Sequence, residues 1–218
     1  MSHPSPPTRI KFCGLRDAAG IAAAVAAGAD AIGFVVAEGS PRTLGTDDVR
    51  RLLPLVPPGV APVCVLRNQR GHPALEIPGV VAQLHGDEDE AACAEARAAT
   101  GRPIIRAVAW SPDSGAKDVL TRWDACPDVG LLLVDGARPG SGEPLDHAGL
   151  AGRLASLKTP AGLAGGLDPD TVGAAIDRVR PWMVDVSSGV ESSRGVKDPV
   201  RMAAFGRAVA LADRRRGD

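Results

Sequence analysis

Eight short runs of apolar and β-branched residues recur along the chain, each closing on a turn that carries Gly or Asp. They are RIKFCG (9–14), AIGFVV (31–36), APVCVLR (61–67), VVAQLHG (80–86), PIIRAVA (103–109), LLLVDG (131–136), AGLAGGL (161–167) and MVDVSSG (183–189). The runs are continuous rather than alternating, the pattern of strands buried on both faces and hence of a parallel sheet. Parallel neighbours need crossover connections, and segments of helical spacing lie between the runs. Residues 17–27 are alanine-rich with Asp17 as N-cap. Thr46 is expected to cap a helix carrying Val49, Leu52 and Leu53, closed by Pro54 and Pro57. Residues 88–99, 114–123, 147–156, 169–179 and 199–213 continue the alternation. Asp168-Pro169 and Asp198-Pro199 each read as an N-cap followed by Pro at the first helical position. Only the third connection, near 72–77, is too short for more than a turn.

Strand–helix pairs repeated eight times predict an α/β fold, a (β/α)8 TIM barrel in which eight parallel strands close inside a ring of helices. The rival, an open doubly wound sheet, usually carries GxGxxG after its first strand, and that signature is absent. Such barrels take about 200–250 residues, so the 218-residue chain is read as one domain over 9–213. Residues 1–8 are expected to form a disordered or loosely packed tail, and 214–218 a charged one. A core of this size needs no disulfide staples, and the four Cys (13, 64, 93, 126) show no CxxC pair and no zinc-like spacing. A reducing cytoplasm is the expected compartment. No apolar run approaches the roughly 20 residues of a membrane span, and MSHPSPPTR lacks the apolar core of a signal peptide. Net charge is -1, with three Phe, three Trp and no Tyr, which argues against a basic, base-stacking nucleic-acid binder.

Barrel enzymes build their sites at the C-terminal ends of strands, and that rule selects residues here. Strands seven and eight end in Gly165-Gly166 and Ser188-Gly189, adjacent in a closed barrel. Free backbone N–H groups and the start of the following helix suit a phosphate there. Cys13 tips strand one, and a thiol can act as a base when positive charge lies near. Asp135 tips the wholly apolar strand six, where partial burial suits a general acid. Strands one and six are well separated around the ring, so the two groups face a substrate from different sides. Arg42, held in Gly39-Ser40-Pro41-Arg42 beyond strand two, suits bidentate recognition of a carboxylate. Strand four ends in Gln83-Leu84-His85-Gly86; on the residues alone His85 reads first as a structural histidine. Cys64, Cys93 and Cys126 read as packing.

These segments resemble the phosphoribosylanthranilate isomerase family of tryptophan biosynthesis. KFCG is similar to its first-strand K-[IV]-C-G, ADAIGFVVAEGSPR to its G-F-[VI]-F…S-P-R, and VVAQLHGDE to its V-Q-L-H-G-[DN]-E. LAGGLDPDTVGAAI and VDVSSGVESSRGVKDPVRMAAF resemble its last quarter. The resemblance spans about residues 9–210. It implies an Amadori rearrangement of an N-linked ribose phosphate to a 1-amino-1-deoxyketose phosphate, with neither cofactor nor metal. Asp135 would then be the general acid and Cys13 the general base. Arg42 would hold the anthranilate carboxylate, with Gln83, His85 and Asp185 as further substrate contacts, Asp185 near the sugar hydroxyls. Gly165, Gly166, Ser188 and Gly189 would hold the phosphate. The expected partner is a small phosphosugar, with no nucleic acid and no membrane; monomer and homodimer are both compatible with the sequence.

Two stretches depart from the family, and one is strand three, which reads VCVLRNQ over 63–69 where an apolar pair before N-Q is usual. After strand six the family carries G-G-T-G-x-x-F-D-W, whereas Pro139–His147 reads PGSGEPLDH, with both rings gone and Glu143 added. A loop there is expected to fold over the substrate, so the change points to the accepted aglycone. Two further readings share the strand-end chemistry. One is a paralogue acting on a related N-substituted phosphosugar, and the other a barrel that binds a phosphosugar without turning it over. The related histidine-pathway isomerase uses paired Asp residues and a doubly phosphorylated substrate, which Cys13 and the single phosphate site oppose.

Overall fold

In a computed structural model of the chain, residues 6–110, 116–136 and 147–217 are described. Eight strands form a closed parallel barrel in sequential order: β1 (Arg9–Cys13), β2 (Ala31–Val35), β3 (Ala61–Leu66), β4 (Val81–Leu84), β5 (Ile104–Trp110), β6 (Val129–Gly136), β7 (Ala161–Leu163) and β8 (Met183–Val186). The ring closes where β1 pairs with β8, setting Lys11 opposite Asp185. Strands seven and eight stop earlier than expected because Gly165 and Gly166 take φ of +83° and +66° and Ser188–Val190 turns into a short 3₁₀ helix. A small antiparallel hairpin, β9 (Glu191–Ser193) with β10 (Val196–Lys197), follows; its apolar content is too low to have signalled it.

Seven α-helices lie among the described residues: α1 (Ala18–Ala26), α2 (Thr46–Leu52), α3 (Glu90–Thr100), α4 (Ala116–Asp124), α5 (His147–Leu154), α6 (Val172–Val179) and α7 (Pro199–Gly217). Connection three is a 3₁₀ turn, Pro73–Glu76. Asp17 caps α1 by accepting from the Gly20 N–H at 2.7 Å, and Asp198 accepts from the N–H groups of Val200 and Arg201 at the start of α7. Two cap expectations are corrected. The N-cap of α2 is Gly45, not Thr46, because Asp48 reaches back to the Gly45 N–H at 3.1 Å and draws Thr46 into the first turn. Helix α6 starts at Val172, not Pro169, since the Asp168 carboxylate is spent on the turn ahead of it, bonding Asp170 and Thr171.

Two apolar layers result. Alternate strand residues fill the barrel interior, among them Ala31, Val35, Val63, Val65, Ile105, Ala107, Leu131, Leu133 and Met183. The other parity packs outward against the helices, with Phe12, Ile32, Phe34, Cys64, Leu132 and Val184 meeting residues such as Phe205 of α7. Phe12 and Phe205 meet edge to face, centroids 5.8 Å apart. Before β1, the Thr8 N–H and hydroxyl both bond the Asp213 carboxylate at 2.7 Å, fastening the chain to α7. No described helix is long and apolar enough to cross a membrane.

Candidate active site

Parity along the strands decides what the barrel mouth contains. Successive strand side chains point to opposite faces, so Asp135 shares the inward face of β6 with Leu131 and Leu133. Asp185 follows Met183 inward on β8, and Lys11 and Cys13 share a face of β1. Inside the barrel, polar groups thus replace hydrocarbon at inward positions toward the mouth. Lys11, Gln83, Asp135 and Asp185 are all buried there.

Around β1 the groups form a charged chain. Lys11 Nζ donates to Asp185 Oδ1 at 2.7 Å, and Lys11 has no exposed surface. The Cys13 thiol is its other close neighbour, both groups standing beside Gly33. Burial disfavours its charge, but the neighbouring Asp185 and Cys13 outweigh this and hold the ammonium above its ordinary range. Cys13 is only 8% exposed; burial pushes its thiol up, and the Lys11 charge works against that. Gly33 of β2 makes the meeting feasible. A Cβ at that position would stand 2.9 Å from Cys13 Sγ and 3.2 Å from Lys11 Nζ. The other cysteines fit packing: burial pushes both Cys64 and Cys93 up to about 12, and all four are free.

On the far side, Gln83 Nε2 lies 3.2 Å from His85 Nδ1, and His85 Nε2 lies 3.3 Å from Asp135 Oδ2. With Gln83 donating, the neutral ring carries its proton on Nε2 and presents it to Asp135. The other carboxylate oxygen, Asp135 Oδ1, is buried and has no hydrogen-bond partner among the described residues. It occupies the space a side chain at 165 would fill, since a Cβ on Gly165 would lie 2.3 Å from it. The strand-four turn is braced by Glu88, which accepts from the N–H groups of Asn68 and Gly86 at 2.7 Å each and pairs with Arg106. That bracing accounts for the Glu in HGDE.

The loops after β7 and β8 abut, as the phosphate expectation requires. A Cβ on Gly189 would sit 1.9 Å from the Leu167 carbonyl oxygen, so only glycine lets these backbones meet. Gly166 faces open space, with nothing within 4 Å of its Cβ position, and Ser188 lies in the adjoining 3₁₀ turn.

Arg42 occupies the rim, its stem lying over Gly14, where a Cβ would meet Arg42 Cδ at 2.4 Å. Its guanidinium does grip a carboxylate bidentately, but the carboxylate is the chain's own Glu191, with Nε–Oε1 and Nη2–Oε2 both 2.7 Å. Lys197 Nζ joins at 2.9 Å from Glu191 Oε1 and 2.9 Å from the Ser187 carbonyl. Those bonds hold the Arg42 guanidinium charged, while burial lowers Lys197 and Glu191 opposes that. Sequence reasoning missed Lys11, Glu191 and Lys197. Lys11 was within reach, two residues before Cys13 and so on its face. Glu191 and Lys197 lie on the hairpin and meet Arg42 only through the fold. The Pro139–His147 expectation falls outside the described residues, apart from the backbone of His147 at the start of α5.

Hollows also lie elsewhere. A groove of about 720 Å³ runs between α1, the start of β1 and α7, and one of about 390 Å³ lies beside α5 and α6. In the first, Arg9 pairs with Asp30, and Thr8 with Asp213, so polar groups satisfy each other rather than converge on the space. Among the described residues such convergent groups sit at the barrel mouth, which makes it the candidate site. Among the described residues no His, Cys, Asp and Glu cluster could hold a metal.

Residues 10–208 match the model of the family described as N-(5'phosphoribosyl)anthranilate (PRA) isomerase. A relative from Herminiimonas arsenicoxydans, named N-(5'-phosphoribosyl)anthranilate isomerase, is 40% identical, with 94% of each chain covered. The crystal structure of phosphoribosyl anthranilate isomerase from Thermotoga maritima superposes with a TM-score of 0.84 at 31% identity, covering 94% of this chain and 99% of that one. A phosphoribosyl anthranilate isomerase structure in complex with reduced 1-(o-carboxyphenylamino)-1-deoxyribulose 5-phosphate gives a TM-score of 0.81 at 30% identity, with 94% and 99% covered. With its barrel and nearly its whole length matched, the chain belongs to the N-(5'-phosphoribosyl)anthranilate isomerase family.

Proposed function

We infer that the protein converts N-(5-phosphoribosyl)anthranilate to 1-(2-carboxyphenylamino)-1-deoxyribulose 5-phosphate, an isomerase step of tryptophan biosynthesis. The observation that carries the reading is the inward placement of Cys13 and Asp135 at the ends of β1 and β6, with the paired glycine loops of β7 and β8 between those strands. In this reading Asp135 Oδ1, the oxygen with no partner among the described residues, gives a proton to the furanose ring oxygen. The C1–O bond breaks as the anthranilate nitrogen lone pair forms C1=N. Cys13 takes the proton from C2, the electron pair forms C1=C2, and the iminium is neutralised as an enolamine. Ketonisation moves the O2 proton away and adds one at C1. Aldose becomes ketose with no net change of atoms or electrons.

The remaining groups serve binding and orientation. Gly165, Gly166, Ser188 and Gly189 would take the phosphate through backbone N–H groups and the Ser hydroxyl. Glu191 uses the Nε edge of Arg42, which leaves the Nη1/Nη2 edge for the anthranilate carboxylate. His85, oriented by Gln83, steadies the acid. Asp185 reaches the sugar hydroxyls only from its ion pair with Lys11. Four free cysteines suit a reducing cytoplasm.

Loss of phosphoribosylanthranilate fluorescence on mixing with the protein tests the reading directly. Cys13→Ala and Asp135→Asn should each cut turnover by about 10²–10⁴-fold, the range of positioned acids and bases. Near-wild-type turnover in either variant would remove that residue from its role. Binding of the reduced product analogue without any turnover would make the protein a phosphosugar binder instead.

A further inference from the structure

Lys11 has no place in the reaction just described, yet it is the most enclosed charge among the described residues. A lysine with no exposed surface is strongly disfavoured unless it is paired, and one carboxylate suffices for pairing. Its ammonium nevertheless has a second neighbour. Nζ and Cys13 Sγ both reach into the space above Gly33, where a Cβ would crowd each of them, while Nζ donates to Asp185. Pairing of β1 with β8 sets Lys11 opposite Asp185, so backbone register holds the ammonium between carboxylate and thiol.

We propose that Lys11 is a positioning residue whose enclosed ammonium is the charge against which Cys13 ionises, with Asp185 as its tether. A thiol at the wall of an apolar barrel needs such a counter-charge to become a base. The other charged groups facing Cys13 sit further out: Lys197 from β10 and Arg42 from the loop after β2. Both are already engaged by Glu191. Lys11 alone approaches from the strand that carries the thiol, and Asp185 divides its charge. Removing Lys11 should therefore raise the pH at which Cys13 ionises, whereas removing the Asp185 charge should lower it. Opposite signs from two partners in one ion pair are not what a merely structural bridge would give.

The inference rests on the reading of Cys13 as the base but is tested without substrate. Iodoacetamide alkylation of Cys13 is followed against pH by peptide-resolved mass spectrometry in the wild-type protein, Lys11→Met, Asp185→Asn and the double variant, with circular dichroism to verify folding. Lys11→Met leaves a buried carboxylate unpaired and is the variant at risk of unfolding; the double variant removes both charges and avoids this. Expected are a rise of about one pH unit or more in the Cys13 midpoint for the double variant and a fall for Asp185→Asn. An unchanged midpoint in the folded double variant, or an upward shift in Asp185→Asn, overturns the proposal. The two readings fail separately. Normal turnover by Cys13→Ala would end the base assignment, while a dead Cys13→Ala with an unmoved midpoint in the double variant would end only the role of Lys11.

Discussion

Replacing Gly165 by Ala tests whether the position of one carboxylate oxygen governs the reaction. The new Cβ would lie 2.3 Å from Asp135 Oδ1 and 2.8 Å from the Gly136 nitrogen. Ordinary contact requires the carboxylate to withdraw by about 1 Å. Gly165 also has φ of +83°, a region that costs an L-residue about 1–2 kcal/mol. For a chain of this length that strain lowers Tm by about 2–8 °C. A displacement near 1 Å at a reacting group costs about a hundredfold in rate. Gly28→Ala is the control: φ is +86° with nothing within 4 Å of the Cβ position, and Gly28 lies at the opposite end of the barrel. Thermal melts by circular dichroism and turnover by substrate fluorescence are measured on both. Both variants should melt earlier, Gly165→Ala by at least as much as Gly28→Ala because its Cβ also meets the Gly136 nitrogen. Only Gly165→Ala should lose about two orders of magnitude in kcat. Full turnover in Gly165→Ala with a lowered Tm would show that the placement of Asp135 is not what limits the rate.

Other expectations follow from the rim and the core. Glu191→Gln removes the counter-ion of Arg42 and Lys197 and should raise KM by about tenfold with a smaller fall in kcat; equal losses in both would detach Glu191 from substrate binding. Burial alone would raise the Glu191 carboxyl, but bonds from Arg42, Lys197 and the Gly195 N–H hold it at about 2 instead of 4.5. Because the folded value is depressed, the stability it adds is complete above about 4.5 and is lost as pH falls toward 2. Urea melts of Glu191→Gln should accordingly depend less on pH across that window than wild-type melts do. Phe205→Ala empties a fully buried site against Phe12 and should cost about 3–5 kcal/mol in urea unfolding. Turnover by its folded fraction should stay close to wild type, since Phe205 lies on the outer side of β1, away from the mouth.

Much of this molecule is local and was therefore legible in the order of its residues. Continuous apolar runs alternating with helical segments imply a parallel sheet, and eight repeats imply closure. The rule that chemistry sits at strand ends then selects Cys13, Asp135 and the glycine pairs, because parity along a strand needs no knowledge of neighbours. Cap positions were legible only in part. Asp17 and Asp198 behave as written, whereas Thr46 and Pro169 yield to the reach of Asp48 and to the turn built on Asp168.

What tertiary structure alone decided is which charges meet. Lys11 and Asp185 are 174 positions apart, and Arg42 and Glu191 are 149 apart. Residue types at such separations carry no pairing information until strand register and the β9–β10 hairpin bring them within 3 Å. The sequence alone determined a barrel with a thiol and a carboxyl at its mouth. Closure of β1 onto β8 determined that Asp185 would pair with the buried ammonium beside that thiol, and the β9–β10 hairpin that the rim arginine would already hold a carboxylate. The reason is physical: periodicity sets which way a side chain points, but only the closed ring sets what it points at.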